Sequence, residues 1–217
     1  MRVFIEKLIG ENENLKEINL SSISNDIAKD TVIIVIDMVK GFCTEGILSS
    51  NRANSIVDPI LNLLNNMKDS NKIFFLDSHT KDSIELNSYP NHCILGTIEE
   101  ELIEELKDFC KYDNKSVFIK KNSINGFHTD EFKNWLKNNN NIKNFIVVGV
   151  CTDICVETFV ISLKTYFNEY NINKNIYVPV NCIETFDSEN HNANIMNIIS
   201  INKMKSNGIN VVKKIEG

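Results

Sequence analysis

Six short apolar runs punctuate the chain, and longer amphipathic or polar stretches separate them. TVIIVID at 31–37 is a continuous β-branched run, the signature of a parallel strand buried on both faces. KIFFLD (72–77), SVFIKK (116–121), the run 143–149, NIYVPVNCI (175–183) and INVVKK (209–214) repeat the pattern. Between them, the periodicity predicts helices over 51–69, 97–110, 129–138, 153–168 and 187–205. In the first of these, Ile56, Ile60, Leu63, Leu64 and Met67 share a face. In the second, Thr97 is the expected N-cap, and Glu99, Glu100 and Glu101 form a solvated first turn. Strands alternating with helices predict right-handed crossovers and a three-layer α/β/α fold around a mostly parallel six-stranded sheet. No repeat or linker interrupts the pattern, so residues 1–217 are expected to form one domain. Residues 1–30 form a polar extension that packs outside the sheet or pairs at an edge.

Composition narrows the partners. With 217 residues, 42% of them hydrophobic, the chain has enough apolar mass for a full α/β core. The net charge is −6, and no basic block is interleaved with aromatics, which argues against nucleic acid. The longest apolar runs are too short to cross a bilayer, and the N-terminus lacks a secretory apolar core, so a cytoplasmic protein is expected. The six cysteines are scattered without a CxxC pair, as in a reduced protein.

Chemistry gathers at strand ends. Asp37 closes the first run, Asp77 the second and Lys121 the third. Alternation puts Val117, Ile119 and Lys121 on one side of their strand and Lys120 on the other. Cys155 follows the run ending in Gly149 and sits where a helix opens, a position whose free N–H groups and dipole favour a thiolate. The C-terminal ends of parallel strands line one edge of a sheet, so Asp37, Lys121 and Cys155 can converge there. Asp77, His79 and His92 supply one oxygen and two imidazoles, a set suited to Zn, Fe or Mn with open positions, and Glu85 in the same loop is a further candidate.

IDMVKGF (36–42), DSH…YPNHCILGT (77–97), IKKNSINGF (119–127) and GVCTDICV (149–156) together resemble the isochorismatase-like cysteine hydrolases, and within them the nicotinamidases. The resemblance spans roughly residues 31–205. It implies a catalytic set of Asp37, Lys121 and Cys155, metal ligands Asp77, His79 and His92 with Glu85 as a fourth, and ring-flanking aromatics Phe42 and Tyr89. It further implies a cis peptide between Val150 and Cys151, with the Cys151 and Cys155 amides facing an oxyanion. The implied activity is hydrolysis of nicotinamide or a similar small carboxamide through a thioester, with a divalent metal, zinc first, and a homo-oligomeric assembly. An isochorismate-type or carbamoyl hydrolase, and a catalytically silent binding member, are the competing readings. NSINGF followed by His128 departs from the family's usual pattern and bears on pocket shape.

Overall fold

The computed structural model describes residues 2–217, and side-chain surroundings from Glu6 onward. Met1, part of the expected domain, lies outside the described residues. The strands are β1 (Glu17–Asn19), β2 (Thr31–Ile36), β3 (Asn71–Asp77), β4 (Ser116–Lys121), β5 (Asn144–Val150), β6 (Asn175–Pro179), β7 (Ile183–Glu184), β8 (Asn210–Val212) and β9 (Lys214–Glu216). The main sheet runs in the order β4-β3-β2-β5-β6-β8, and the two-residue β7 also pairs with β5. Every pairing in it is parallel. The expected six-strand sheet is therefore present, with β7 as an addition that arises because Val180–Cys182 turns the run 175–183 away from the ladder.

Alternation along the strands makes two cores. Ile33, Val35, Phe74, Leu76, Ile146 and Val148 face one helical layer, against Ile60, Leu63, Leu64 and Leu106. Val32, Ile34, Ile73, Phe75, Phe145 and Val147 face the other, against Phe132, Phe159, Leu163 and Met204. A fully buried aliphatic side chain contributes about 1.5–3 kcal/mol, so both layers are needed to offset the ordering of the chain.

Several predicted helices are shorter than their apolar patterns. The helix expected over 51–69 divides into Asn51–Asn54 and Val57–Asn66. Pro59 explains the break, because it has no N–H to donate to the Ser55 carbonyl and its ring would crowd that group. The helix expected over 97–110 is a 3-10 turn, Ile98–Glu100, and then Glu104–Cys110. Between them, Leu102 bridges to Val39 as extended backbone. The glutamates expected on a solvated turn instead pin the loops under the sheet edge. Glu99 accepts the Cys93 N–H, Glu100 is held by Ser78, Lys120 and the Gly96 N–H, and Glu101 pairs with Lys40. The last helix starts at Ala193, not 187, because Asn192 caps it and residues 187–192 form a loop.

The N-terminal segment does not join an edge of the main sheet; its β1 pairs with β9 in a separate two-stranded parallel ladder. Gly149, in β5 beside Ile36, has φ +117°, and a Cβ there would lie 2.0 Å from the Ile36 carbonyl oxygen. No helix among the described residues is long and apolar enough to cross a membrane.

Candidate active site

The strand order reverses between β2 and β5: β3 and β4 lie on one side of β2, and β5, β6 and β8 on the other. Open α/β sheets place their ligand crevice at such a point, outside the carboxyl ends of the strands. Four of these ends converge. Asp37 follows β2, Asp77 closes β3, Lys121 closes β4, and Cys155 lies in the π-helical turn Thr152–Val156 after β5.

Lys121 is the hub. Its ammonium lies 2.8 Å from Asp37 Oδ2, donates to Asp77 Oδ1 at 2.7 Å and lies 3.9 Å from Cys155 Sγ. All four side chains are buried. Asp37 has φ 53°, an unusual conformation for a residue with a side chain, of the kind held where a site requires it. Apart from the ion pair with Lys121, its buried carboxylate oxygens have no hydrogen-bond partner.

The charges set the resting protonation. Burial pushes the Asp37 carboxyl up to about 7, against the pull of Lys121 and with help from the neighbouring Asp77. Burial would raise Asp77 as well, but Lys121 and the two imidazoles outweigh it and hold Asp77 well below the usual carboxylate range. Burial pushes the Cys155 thiol well above its ordinary value; Lys121 opposes this, and Asp37 and Asp77 add to it. In the metal-free cluster these influences favour the thiol over the thiolate. Burial first, and the two nearby carboxylates after it, work against the thiolate expected from a helix opening, and the residues around Cys155 form a π turn before the α-helix Glu157–Glu169 begins.

Asp77 joins this cluster to a second one. Its Oδ2 accepts from His79 Nε2 at 2.9 Å and lies 3.1 Å from His92 Nε2. The three ligand atoms lie within 4.8 Å of one another and are all buried. The outer nitrogens are already engaged: His92 Nδ1 donates to the Pro90 carbonyl at 2.7 Å, and His79 Nδ1 lies 3.3 Å from both Asn122 Oδ1 and Ser83 Oγ. Each imidazole therefore turns Nε2 inward, the orientation that second-shell bonds give to metal-binding histidines. Burial opposes a charged His92, yet the acceptors on both sides raise it. A cation entering here would replace that proton. The donor set, the ring orientations and the burial fit a divalent metal.

The remaining candidates separate. Glu85 stands at the edge of this cluster: one oxygen accepts the Ile124 N–H at 2.9 Å and the other is 3.7 Å from His79 Nε2. Phe42 and Tyr89 flank His92, with ring centroids 5.6 and 6.1 Å away. Cys151 follows a cis peptide after Val150, as the resemblance implies.

A cavity of about 300 Å³ opens onto these groups. Its lining includes Phe42, Tyr89, His92, Cys151 and Cys155, and also Ile47–Ser50, Ile154 and Phe186–Ser188. Asp37, Lys121 and His79 are not part of the lining and act from behind it. The 47–50 and 186–188 segments are missed by sequence reasoning because they are loop residues without periodicity.

A family profile for the isochorismatase domain matches residues 31–207. Nicotinamidase 1 of Arabidopsis thaliana is 30% identical over 213 residues, covering 84% of this chain and 85% of that protein. The fold matches the crystal structure of the pyrazinamidase/nicotinamidase from Streptococcus mutans UA159, with TM-score 0.71, 21% identity, and 84% and 100% of the two chains covered. It also matches the pyrazinamidase of Pyrococcus horikoshii in complex with zinc, with TM-score 0.65, 20% identity, and 85% and 99% covered. The chain belongs to the isochorismatase family and is one of its hydrolases acting on an amide carbon–nitrogen bond.

Proposed function

We propose that the protein hydrolyses nicotinamide, or a closely similar ring carboxamide, to the acid and ammonia, with Cys155 as nucleophile, Asp37 as general base and Lys121 as the fixed cation between them. The observation that carries this reading is Lys121 spanning Asp37 and Asp77 beside a buried cysteine at a cavity floor. The Cys155 proton passes to Asp37 as sulfur bonds to the carboxamide carbon. The carbonyl oxygen becomes an oxyanion, for which the Cys151 and Cys155 amides are the assigned donors, each such donor contributing about 3 kcal/mol. The intermediate collapses, the carbon–nitrogen bond breaks, and ammonia leaves with the proton from Asp37. Asp37 then takes a proton from water as hydroxide attacks the thioester carbon, the carbon–sulfur bond breaks, and Asp37 returns its proton to the sulfur as the acid leaves.

A divalent cation, with zinc as the first choice and Fe or Mn as alternatives, would be held by Asp77, His79 and His92, with Glu85 a further candidate. When bound it would supply a Lewis acid for a ring nitrogen, orienting the substrate. Phe42 and Tyr89 are assigned as walls for the ring. No lysine or arginine is part of the cavity lining, whereas Glu85 and Asp187 are. This favours a neutral amide over a dianion such as isochorismate and over a carboxylate-bearing carbamoyl compound.

The test is ammonia release from nicotinamide by the metal-loaded protein. Cys155→Ala should reduce turnover to background, and Asp37→Ala should lower kcat by about 10²–10⁴-fold. Substantial turnover in Cys155→Ala would end the mechanism. A wild-type protein that releases ammonia from other amides but not from nicotinamide would end the substrate assignment.

A further inference from the structure

Part of the cavity wall comes from the segment between β7 and the last helix. Phe186 lines the cavity together with Phe42 and Tyr89. Its ring lies flat on the His191 imidazole, with centroids 3.9 Å apart and planes 9° apart. That imidazole is held at both edges: Nδ1 lies 2.9 Å from the Phe186 carbonyl oxygen, and Nε2 lies 2.8 Å from Asp153 Oδ2. The Asp153 side chain is 5% exposed, and the residue belongs to the Thr152–Val156 turn that carries Cys155. Ser188 and His191 exchange main-chain hydrogen bonds at 2.9 and 3.1 Å and so close the segment on itself. One carboxylate from the nucleophile's own turn therefore sets the plane of an aromatic wall, through one imidazole.

We propose that His191, anchored by Asp153, is a positioning residue that holds Phe186 as a flat wall and thereby makes the site selective for planar aromatic amides over aliphatic ones. This rests on the amide-hydrolase reading above. Aromatic rings gain from offset or edge contacts with another ring beyond the area they bury, so a fixed ring in the wall discriminates by shape. A wall free to rotate loses that gain. The reacting carboxamide is the same in both classes of substrate, so the device acts on ring binding and leaves bond-making unchanged. A residue that only supported the fold would affect both classes alike.

The experiment measures ammonia release by the metal-loaded, full-length protein with nicotinamide and with propionamide. Where propionamide turns over too slowly, its inhibition constant against nicotinamide replaces its KM. Phe186→Leu and His191→Ala should raise the nicotinamide KM about two- to tenfold with little change in kcat, and leave the propionamide constant as in wild type. Phe186→Tyr, which keeps the ring, should retain the wild-type preference for nicotinamide over propionamide, whatever its absolute rates. Equal losses for both amides, a fall in kcat alone, or no change would overturn the proposal. If His191→Ala does not fold, the Phe186→Leu and Phe186→Tyr pair decides by the same criteria. Wild-type protein that releases ammonia from neither amide would bring down the amide reading and this inference with it. Normal nicotinamide kinetics in Phe186→Leu would overturn the inference alone.

Discussion

Replacing Lys121 by Met removes the one ammonium between two buried carboxylates. Its side chain is 1% exposed, and those of Asp37 and Asp77 are 0% and 2% exposed. Methionine fills a similar volume, so the change is mainly one of charge. Breaking a buried ion pair on one side costs about 3–5 kcal/mol, because the orphaned charge stays desolvated. For a chain of this size that corresponds to a Tm lowered by about 6–20 °C. The direction with pH follows from Asp37, which burial already holds near about 7 and which would rise further without Lys121. A carboxyl whose folded pKa lies above its unfolded one destabilises the fold once the pH exceeds the unfolded value, and fully above the folded value. The gap between wild type and Lys121→Met should therefore be widest above pH 7 and shrink as the pH falls toward 5. Urea unfolding of metal-free protein at a series of pH values measures it directly. A gap below about 1 kcal/mol at pH 8, or one that does not narrow on acidification, would refute the electrostatic account of this cluster.

Other consequences are open to simpler measurements. Because Asp37 must be ionised to accept the Cys155 proton, kcat/KM should rise with pH through a limb near about 7 in protein with little metal. A cation at Asp77 adds positive charge nearby and should move that limb to lower pH; a flat profile from pH 5 to 8 at both metal levels would contradict the role of Asp37. The double variant His79→Ala, His92→Ala should lose bound metal by elemental analysis and bind nicotinamide more weakly, and stoichiometric retention of metal would show the ligands lie elsewhere.

Much of the architecture is legible in the sequence because parallel strands buried on both faces have an unmistakable composition. TVIIVI and NFIVVGV are such runs, and the residues just after them are necessarily on the crevice edge. That rule alone brings Asp37, Asp77, Lys121 and Cys155 together. Alternation also separates Lys121, which is buried, from Lys120, which reaches out to Glu100. What is not legible depends on partners distant in sequence. Glu99, Glu100 and Glu101 read as a solvated turn, because nothing local shows that Cys93, Ser78 and Lys40 will meet them. Phe186 and His191 sit in a loop whose composition has no period, and their use follows only from Asp153 being close by.

The protonation of Cys155 is the clearest case of such distant control, and it bears on how the chemistry can run. A helix opening offers a thiolate local help that a sequence can encode, but here burial opposes it, and Asp37 and Asp77 add to that from other strands. Desolvation raises the thiol and the Asp37 carboxyl together. Moving a proton from Sγ to Asp37 leaves the net charge of the buried cluster unchanged, so the burial that disfavours each anion singly largely cancels for the transfer. Lys121 contacts both partners, and its charge stabilises whichever of them is the anion. Asp77 stays ionised throughout, because its two oxygens are committed, one to Lys121 and one to the imidazoles. On the proposed mechanism, the buried cysteine stays a thiol until a substrate arrives, and Asp37 takes its proton as the amide carbon is attacked.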